Sequence, residues 1–261
     1  MHLGKFEKEK IEIMKEEILN KLSEIEHDKN IEILFAVESG SRAWGFASPD
    51  SDYDIRFVYK HPKDWYLNLW DQKDSIEFMT EDDLDGSGWD IRKALRLLAK
   101  SNASFTGWLF SPIVYRADND FLNEIKKVAN ANFNPVSGFY HFHSMNKNFE
   151  ETLGSEKMTL KSFFYAIRTA LCANWIYKNE TIPPVLFREM YSLIDDSYHS
   201  KLDALITLKS ERVEKSNEPV EADLMHLVKH IVNENNSVKD KLANRKSNPA
   251  DFNELFLKTL K

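Results

Sequence analysis

Residues 31–60, IEILFAVESGSRAWGFASPDSDYDIRFVYK, carry the pattern from which the fold is read. The first eleven form an aliphatic run that enters a Gly-Ser turn, and they read as a strand. RAWGFASPDS is rich in small and turn residues and reads as a loop. DYDIRFVYK, 52–60, then alternates as a second strand. Asp52, Asp54, Arg56 and Val58 face one way, and Tyr53, Ile55, Phe57 and Tyr59 the other. Two acids two positions apart on a strand project from the same face.

Upstream, residues 5–26 place Ile11, Met14, Ile18, Leu22 and Ile25 at helical spacing among Lys and Glu, an amphipathic helix. Downstream, SIEFM (75–79) reads as a short third strand. WDIRKALRLLAK (89–100) reads as a helix with Ile91, Ala94, Leu95 and Leu98 on one side. Beyond residue 119 strand signals nearly vanish. Helical patterns fall at 119–132, 136–152, 160–178, 184–194, 199–215, 220–235 and 249–260, with breaks at Pro135, Gly154, Pro183–Pro184, Pro219 and Pro249. The expectation is an α/β (α+β) lobe at 1–118, followed by an α-helical lobe at 119–261, with a site in the cleft between them.

The 261 residues leave room for two lobes. The single cysteine, Cys172, forms no internal disulfide and offers no thiolate metal site. No apolar run approaches the roughly 18 residues of a membrane span. The charged beginning, MHLGKFEKEKIEIMKEE, lacks the apolar core of a secretory signal, so a cytoplasmic protein without a membrane partner is expected. The net charge of −7 gives no global basic field for coating nucleic acid, although a local groove would suffice for an RNA end.

The chemistry concentrates in the opening stretch. Asp52 and Asp54 repel each other unless a cation lies between them. Hard oxygen ligands on a rigid strand suit Mg²⁺, which completes its shell with substrate phosphates; Mn²⁺ could replace it. Gly40 lets the backbone approach a phosphate, the amides and hydroxyl at Ser41 donate to it, and Arg42 adds positive charge. A two-metal site needs a third carboxylate. Glu77, between Ile76 and Phe78, is the first candidate. Asp90 competes, although Ser87–Asp90 also fits a capping box; Asp74 is a further alternative. On the helix at 160–178, Lys161, Tyr165 and Arg168 share one side. They would hold phosphates and stack on a base if that helix lines the cleft, or form a solvated face if it does not.

GSRAWGFASPDSDYDIRF resembles the Gly-Ser…Asp-x-Asp signature of the DNA polymerase β-type nucleotidyltransferase superfamily. With GWDIRKALRLL, SPIVY and FFYAIRTALCANWIY, the likeness narrows to nucleotidyltransferases associated with RNA ligase and RNA repair. The resemblance implies a mixed sheet with flanking helices and two Mg²⁺ ions held by Asp52, Asp54 and a third acid, with the triphosphate on Gly40 and Ser41. It also implies nucleotidyl transfer from an NTP, with ATP the first candidate, to an RNA or tRNA end. The same chemistry directed at a protein hydroxyl or a small molecule, and a catalytically silent nucleotide- or RNA-binding module, are the alternatives.

Overall fold

The computed structural model describes residues 5–80, 84–150, 158–213 and 219–261. The expected helical turns at 151–152 and 214–215, and the break at Gly154, lie outside the described residues.

Among the described residues, five strands form one sheet in the order β3-β4-β2-β1-β5. They are β1 (Glu32–Glu38), β2 (Tyr53–Lys60), β3 (Ser75–Met79), β4 (Leu84–Asp90) and β5 (Val114–Ala117). β2 and β4 run parallel and the remaining pairs antiparallel, so the sheet is mixed, as expected. β4 was not foreseen, because LDGSGWD reads as a turn. The glycines are there for packing: a Cβ at Gly86 would overlap the Phe78 ring, and one at Gly88 the Phe57 ring. Two aromatic side chains thus lie across a strand stripped of its own.

The β2 alternation is realised. Ile55, Phe57 and Tyr59 pack with Ile18 and Leu22 of α1 (Lys5–Lys29) on one side of the sheet. Ile11, expected in the same stripe, is exposed. Val58 faces the other side. There it packs with α3 (Ile91–Leu98), α4 (Ala103–Leu109), α5 (Asn119–Ala131) and α10 (Pro249–Thr259). This core draws on both sides of residue 118, because α5 and the chain's last helix return to the sheet.

A further core surrounds α7 (Leu160–Asn179). It is built with α6 (Pro135–Glu150), α8 (His199–Glu211) and α9 (Ala222–Val238). The stretch expected as a helix at 184–194 is instead a 3₁₀ segment, Phe187–Leu193, following the two prolines. The Gly-Ser turn opens a short helix, α2 (Gly40–Trp44). Just beyond it Phe46 inserts into the α7 core, stacked on Phe164 at 4.8 Å between ring centres. The connection between β1 and β2 is therefore pinned to the helical lobe. No described helix is long and apolar enough to cross a membrane.

Candidate active site

Gly40 has φ +61°, a left-handed conformation that favours glycine. Its backbone lies directly against the Asp54 carboxylate, where any Cβ would overlap Oδ2. Ser39 N–H donates to Asp54 O at 2.8 Å, tying the turn to the strand. Asp52, one residue before β2, is exposed, and its charge raises the Asp54 pKa. The two acids are therefore electrostatic neighbours beside the Gly-Ser turn. Burial is the largest cause of the raised Asp54 pKa, and Arg56 opposes it.

Arg56 bridges two acids. Its guanidinium donates to Asp54 Oδ1 at 2.7 Å and to Asp85 Oδ2 at 2.8 Å. Asp54 and Asp85 stand opposite each other on the parallel strands β2 and β4. Asp85 was not singled out from sequence. The available signal was the alternation of buried Leu84, Gly86 and Gly88 with outward Asp85, Ser87 and Trp89.

Beneath Asp54, Glu38 at the end of β1 is fully buried. Its Oε1 accepts from Asp54 N–H at 2.7 Å, and Tyr115 O–H donates to Oε2. Burial lifts its carboxyl from 4.5 to about 7, although both hydrogen bonds oppose the rise. Sequence reading passed over Glu38 because an acid at a strand end looks like a surface residue.

The other expected residues fall in different surroundings. Glu77 shares the Asp54 face, since it pairs with Ser87 and Ser87 pairs with Arg56. It lies two strands from β2, about 10 Å at the usual strand spacing, and is exposed. It lines one depression with Arg56, Asp85 and Ser87, and so stays beside the site as a candidate third acid; Asp85, joined to Asp54 through Arg56, is a further candidate. Asp90 pairs with Tyr59 at the opposite end of β2. It caps α3 by accepting from Arg92 N–H at 2.8 Å, and it accepts from Tyr66 O–H at 2.7 Å. Asp74 is ion-paired with Lys93 near that same end. Neither meets Asp54.

Arg42 is committed to the backbone. It stacks on Tyr53 at 3.8 Å and donates to Ser51 O at 2.6 Å and Asp52 O at 3.1 Å. It fixes the loop that carries Asp52 rather than presenting free charge to a phosphate. Ser41 is buried. Lys161, at the start of α7, lowers the Asp54 pKa and so lies within its field. Tyr165 packs edge-on against Trp44 at 5.0 Å. Arg168, expected on an open helix face, is only 6% exposed and sits 4.2 Å from the Trp44 ring centre. Among the described residues its Nε has no hydrogen-bond partner, and burial lowers its pKa.

Residues 14–258 match the model of the RNA repair pathway DNA polymerase beta family, RlaP. The chain belongs to that family. The protein YcgL of Bacillus subtilis (strain 168), described as uncharacterized, is 35% identical over 252 residues, covering 95% of this chain and 96% of its own. A nucleotidyltransferase-like protein from Exiguobacterium sibiricum 255-15 aligns in structure at 14% identity and a TM-score of 0.33, over 94% of this chain and 79% of that one.

A polymerase-β-type site raises the question of a divalent cation, and this RlaP-family chain meets it in part. Arg56 pairs with both Asp54 and Asp85, while Asp52 adds negative and Lys161 positive charge to the field at Asp54. The Asp54 carboxylate is also held rigidly, in space that a side chain at position 40 would fill. Among the described residues no three His, Cys, Asp or Glu groups converge as a ready metal cage. A pair of carboxylates completed by substrate phosphates is the arrangement Mg²⁺ accepts, and Asp52 with Asp54 fits it.

Proposed function

We propose that this protein is a Mg²⁺-dependent nucleotidyltransferase that moves a nucleotidyl group from an NTP, ATP foremost, to a hydroxyl at an RNA or tRNA end. The observation that carries the reading is the seat of Asp54. Its carboxylate is wedged against the Gly40 backbone, oriented by Arg56, and flanked by the charges of Asp52 and Lys161. Membership of an RNA-repair polymerase-β family supports the reaction class and the RNA acceptor.

Asp52 and Asp54 would hold the cation. When bound, it supplies positive charge to the triphosphate and lowers the pKa of the acceptor hydroxyl. The first amides of α2, at Gly40 and Ser41, have no acceptor within their helix and suit phosphate oxygens. Lys161 offsets triphosphate charge. Arg56 favours the ionised form of Asp54 against the effect of burial and fixes its orientation. Glu38 anchors the Asp54 backbone from below. Arg168 supports an anionic ligand independently, because a buried guanidinium with an unpartnered Nε is costly until an anion reaches it. In-line displacement at the α-phosphate, with pyrophosphate leaving, requires no covalent enzyme intermediate.

The test is incubation of the purified protein with α-labelled NTP, Mg²⁺ and cell extract, with Asp54→Asn in parallel. Label in RNA, absent with Asp54→Asn, is the expected result. Label in protein or in a small soluble product replaces the acceptor. Nucleotide binding without pyrophosphate release from any acceptor pool replaces the enzyme with a silent module.

A further inference from the structure

The face of β4 that carries Asp85 continues away from the candidate active site. Asp85, Ser87 and Trp89 alternate onto that face, opposite Asp54, Arg56 and Val58 of β2. Trp89, half-buried, packs at a tilt against Trp108, with ring centres 3.9 Å apart, at the edge of the core formed with α4, and Lys93 of α3 lies over its ring. Lys93 then lines a depression of about 220 Å³ together with Trp65, Trp70, Arg92 and Arg96. From Asp85 to Asp90, at the edge of that depression, is five residues of strand, roughly 16 Å at about 3.3 Å per residue.

Its composition is unusual for bare surface. α3 contains no acidic residue, and Arg92, Lys93 and Arg96 are all on its outward side. Asp74 is answered by Lys93, Asp90 is buried and hydrogen-bonded to Tyr66 and the Arg92 amide, and the exposed Asp71 is the remaining acid of the lining. Arg96 has no ion-pair partner among the described residues. Beside it Trp70 is 77% exposed, with Leu69 and Leu67 equally open. An indole left in water beside the guanidinium of Arg96 forms the stacking and phosphate-binding pair that takes single-stranded nucleic acid.

We propose that this surface is a track for a single-stranded RNA acceptor. The strand's end lies at Asp54 and Asp85, its path follows Ser87 and Trp89, and a base several nucleotides away stacks on Trp70 with its phosphate on Arg96. The track rests on the RNA reading above, but it is a separate surface from the NTP site.

The experiment measures fluorescence anisotropy of fluorescein-labelled single-stranded oligoribonucleotides on the full chain. Trp70→Ala and Arg96→Glu, both at exposed positions, are compared with Lys229→Glu on the exposed side of α9, which makes the same charge change as Arg96→Glu. Binding of a fluorescent NTP analogue with Mg²⁺ is measured on the same samples. The expected result is a loss of RNA affinity of about ten-fold or more for the two track variants, with a smaller salt dependence for Arg96→Glu. Lys229→Glu and NTP binding stay near wild type. RNA affinity unchanged in both track variants, or lost equally in Lys229→Glu, overturns the track. NTP binding without any RNA binding by the wild type, with Trp70→Ala abolishing labelling of a protein acceptor, makes the surface a protein dock and also overturns it. Loss of NTP binding in the wild type would instead strike the nucleotidyltransferase reading.

Discussion

The Asp54 carboxylate occupies the space where a side chain at Gly40 would go. The turn and the acid are thus one unit, and position 40 is closed to every other residue by contact as well as by its φ of +61°. Gly40→Ala is expected to cost about 1–3 kcal/mol of stability and to abolish transfer by displacing Asp54. Gly45→Ala is the control. Its φ of +88° also strains alanine, but its nearest neighbour is a Leu186 methyl at 3.5 Å. Thermal melts and transfer assays on both should show similar destabilisation and activity lost only at position 40.

Asp54→Asn removes a charge without removing volume. Transfer should fall by about 100-fold or more, since loss of even a ligand-supporting contact costs 10–100-fold, while the melting temperature changes by only a few degrees. Activity near wild type would count decisively against the cation site.

The four acids separate by location. Asp85→Asn should lower transfer, because it loosens the Arg56 bridge to Asp54. Glu77→Gln, exposed and two strands away, should leave both activity and stability near wild type. Asp90→Asn and its partner variant Tyr66→Phe should act on stability, by about 1–2 kcal/mol, through the α3 cap and the buried hydroxyl. Steady-state rates and denaturant midpoints on this panel decide the assignment; a dead Glu77→Gln would make that residue the third acid.

Glu38 makes stability depend on pH. Its carboxyl is raised in the fold from 4.5 to about 7, so between these values the folded chain holds a proton that the unfolded chain has lost. Stability from this group is therefore fully present below pH 4.5 and falls as pH rises through 7, by up to about 3 kcal/mol. Glu38→Gln imitates the protonated form and keeps an acceptor for Asp54 N–H. In metal-free protein its melting temperature should match wild type near pH 4, exceed it increasingly up to about pH 7, and keep a constant lead above that. A difference independent of pH would refute the assignment.

Arg168 is buried against Trp44 with an unpartnered Nε. Arg168→Met retains most of the volume and removes the charge. Stability should hold or rise, since an uncompensated buried charge is unfavourable, while affinity for the triphosphate falls. Calorimetric titration with Mg²⁺ and NTP alongside melts tests this. A large loss of stability with unchanged affinity would make Arg168 a packing residue.

Much of the scaffold was legible because it rests on local periodicity. Residues 53–60 alternate as a strand with one apolar side, and α7 spans 160–179 against an expected 160–178. The turn, Asp52 and Asp54 stood out as small and acidic residues in a strand–loop–strand frame. β4 did not, since Gly86 and Gly88 are chosen for the Phe78 and Phe57 rings on neighbouring strands, and no local rule reports that. Asp85 and Glu38 were missed for the same reason: one acquires meaning from the strand beside it, the other from burial.

The sequence by itself determined β1 to β3 and most of the long helices, and singled out Asp52 and Asp54, because those follow from periods of 3.6 and 2 along the chain and from acids beside a Gly-Ser turn. The tertiary structure alone decided which further acids stand near that pair, which arginines are spent on backbone or buried against tryptophan, and which helices return to cover the sheet. Those facts depend on strand order and register, which join residues distant in the chain through contacts that no single segment encodes.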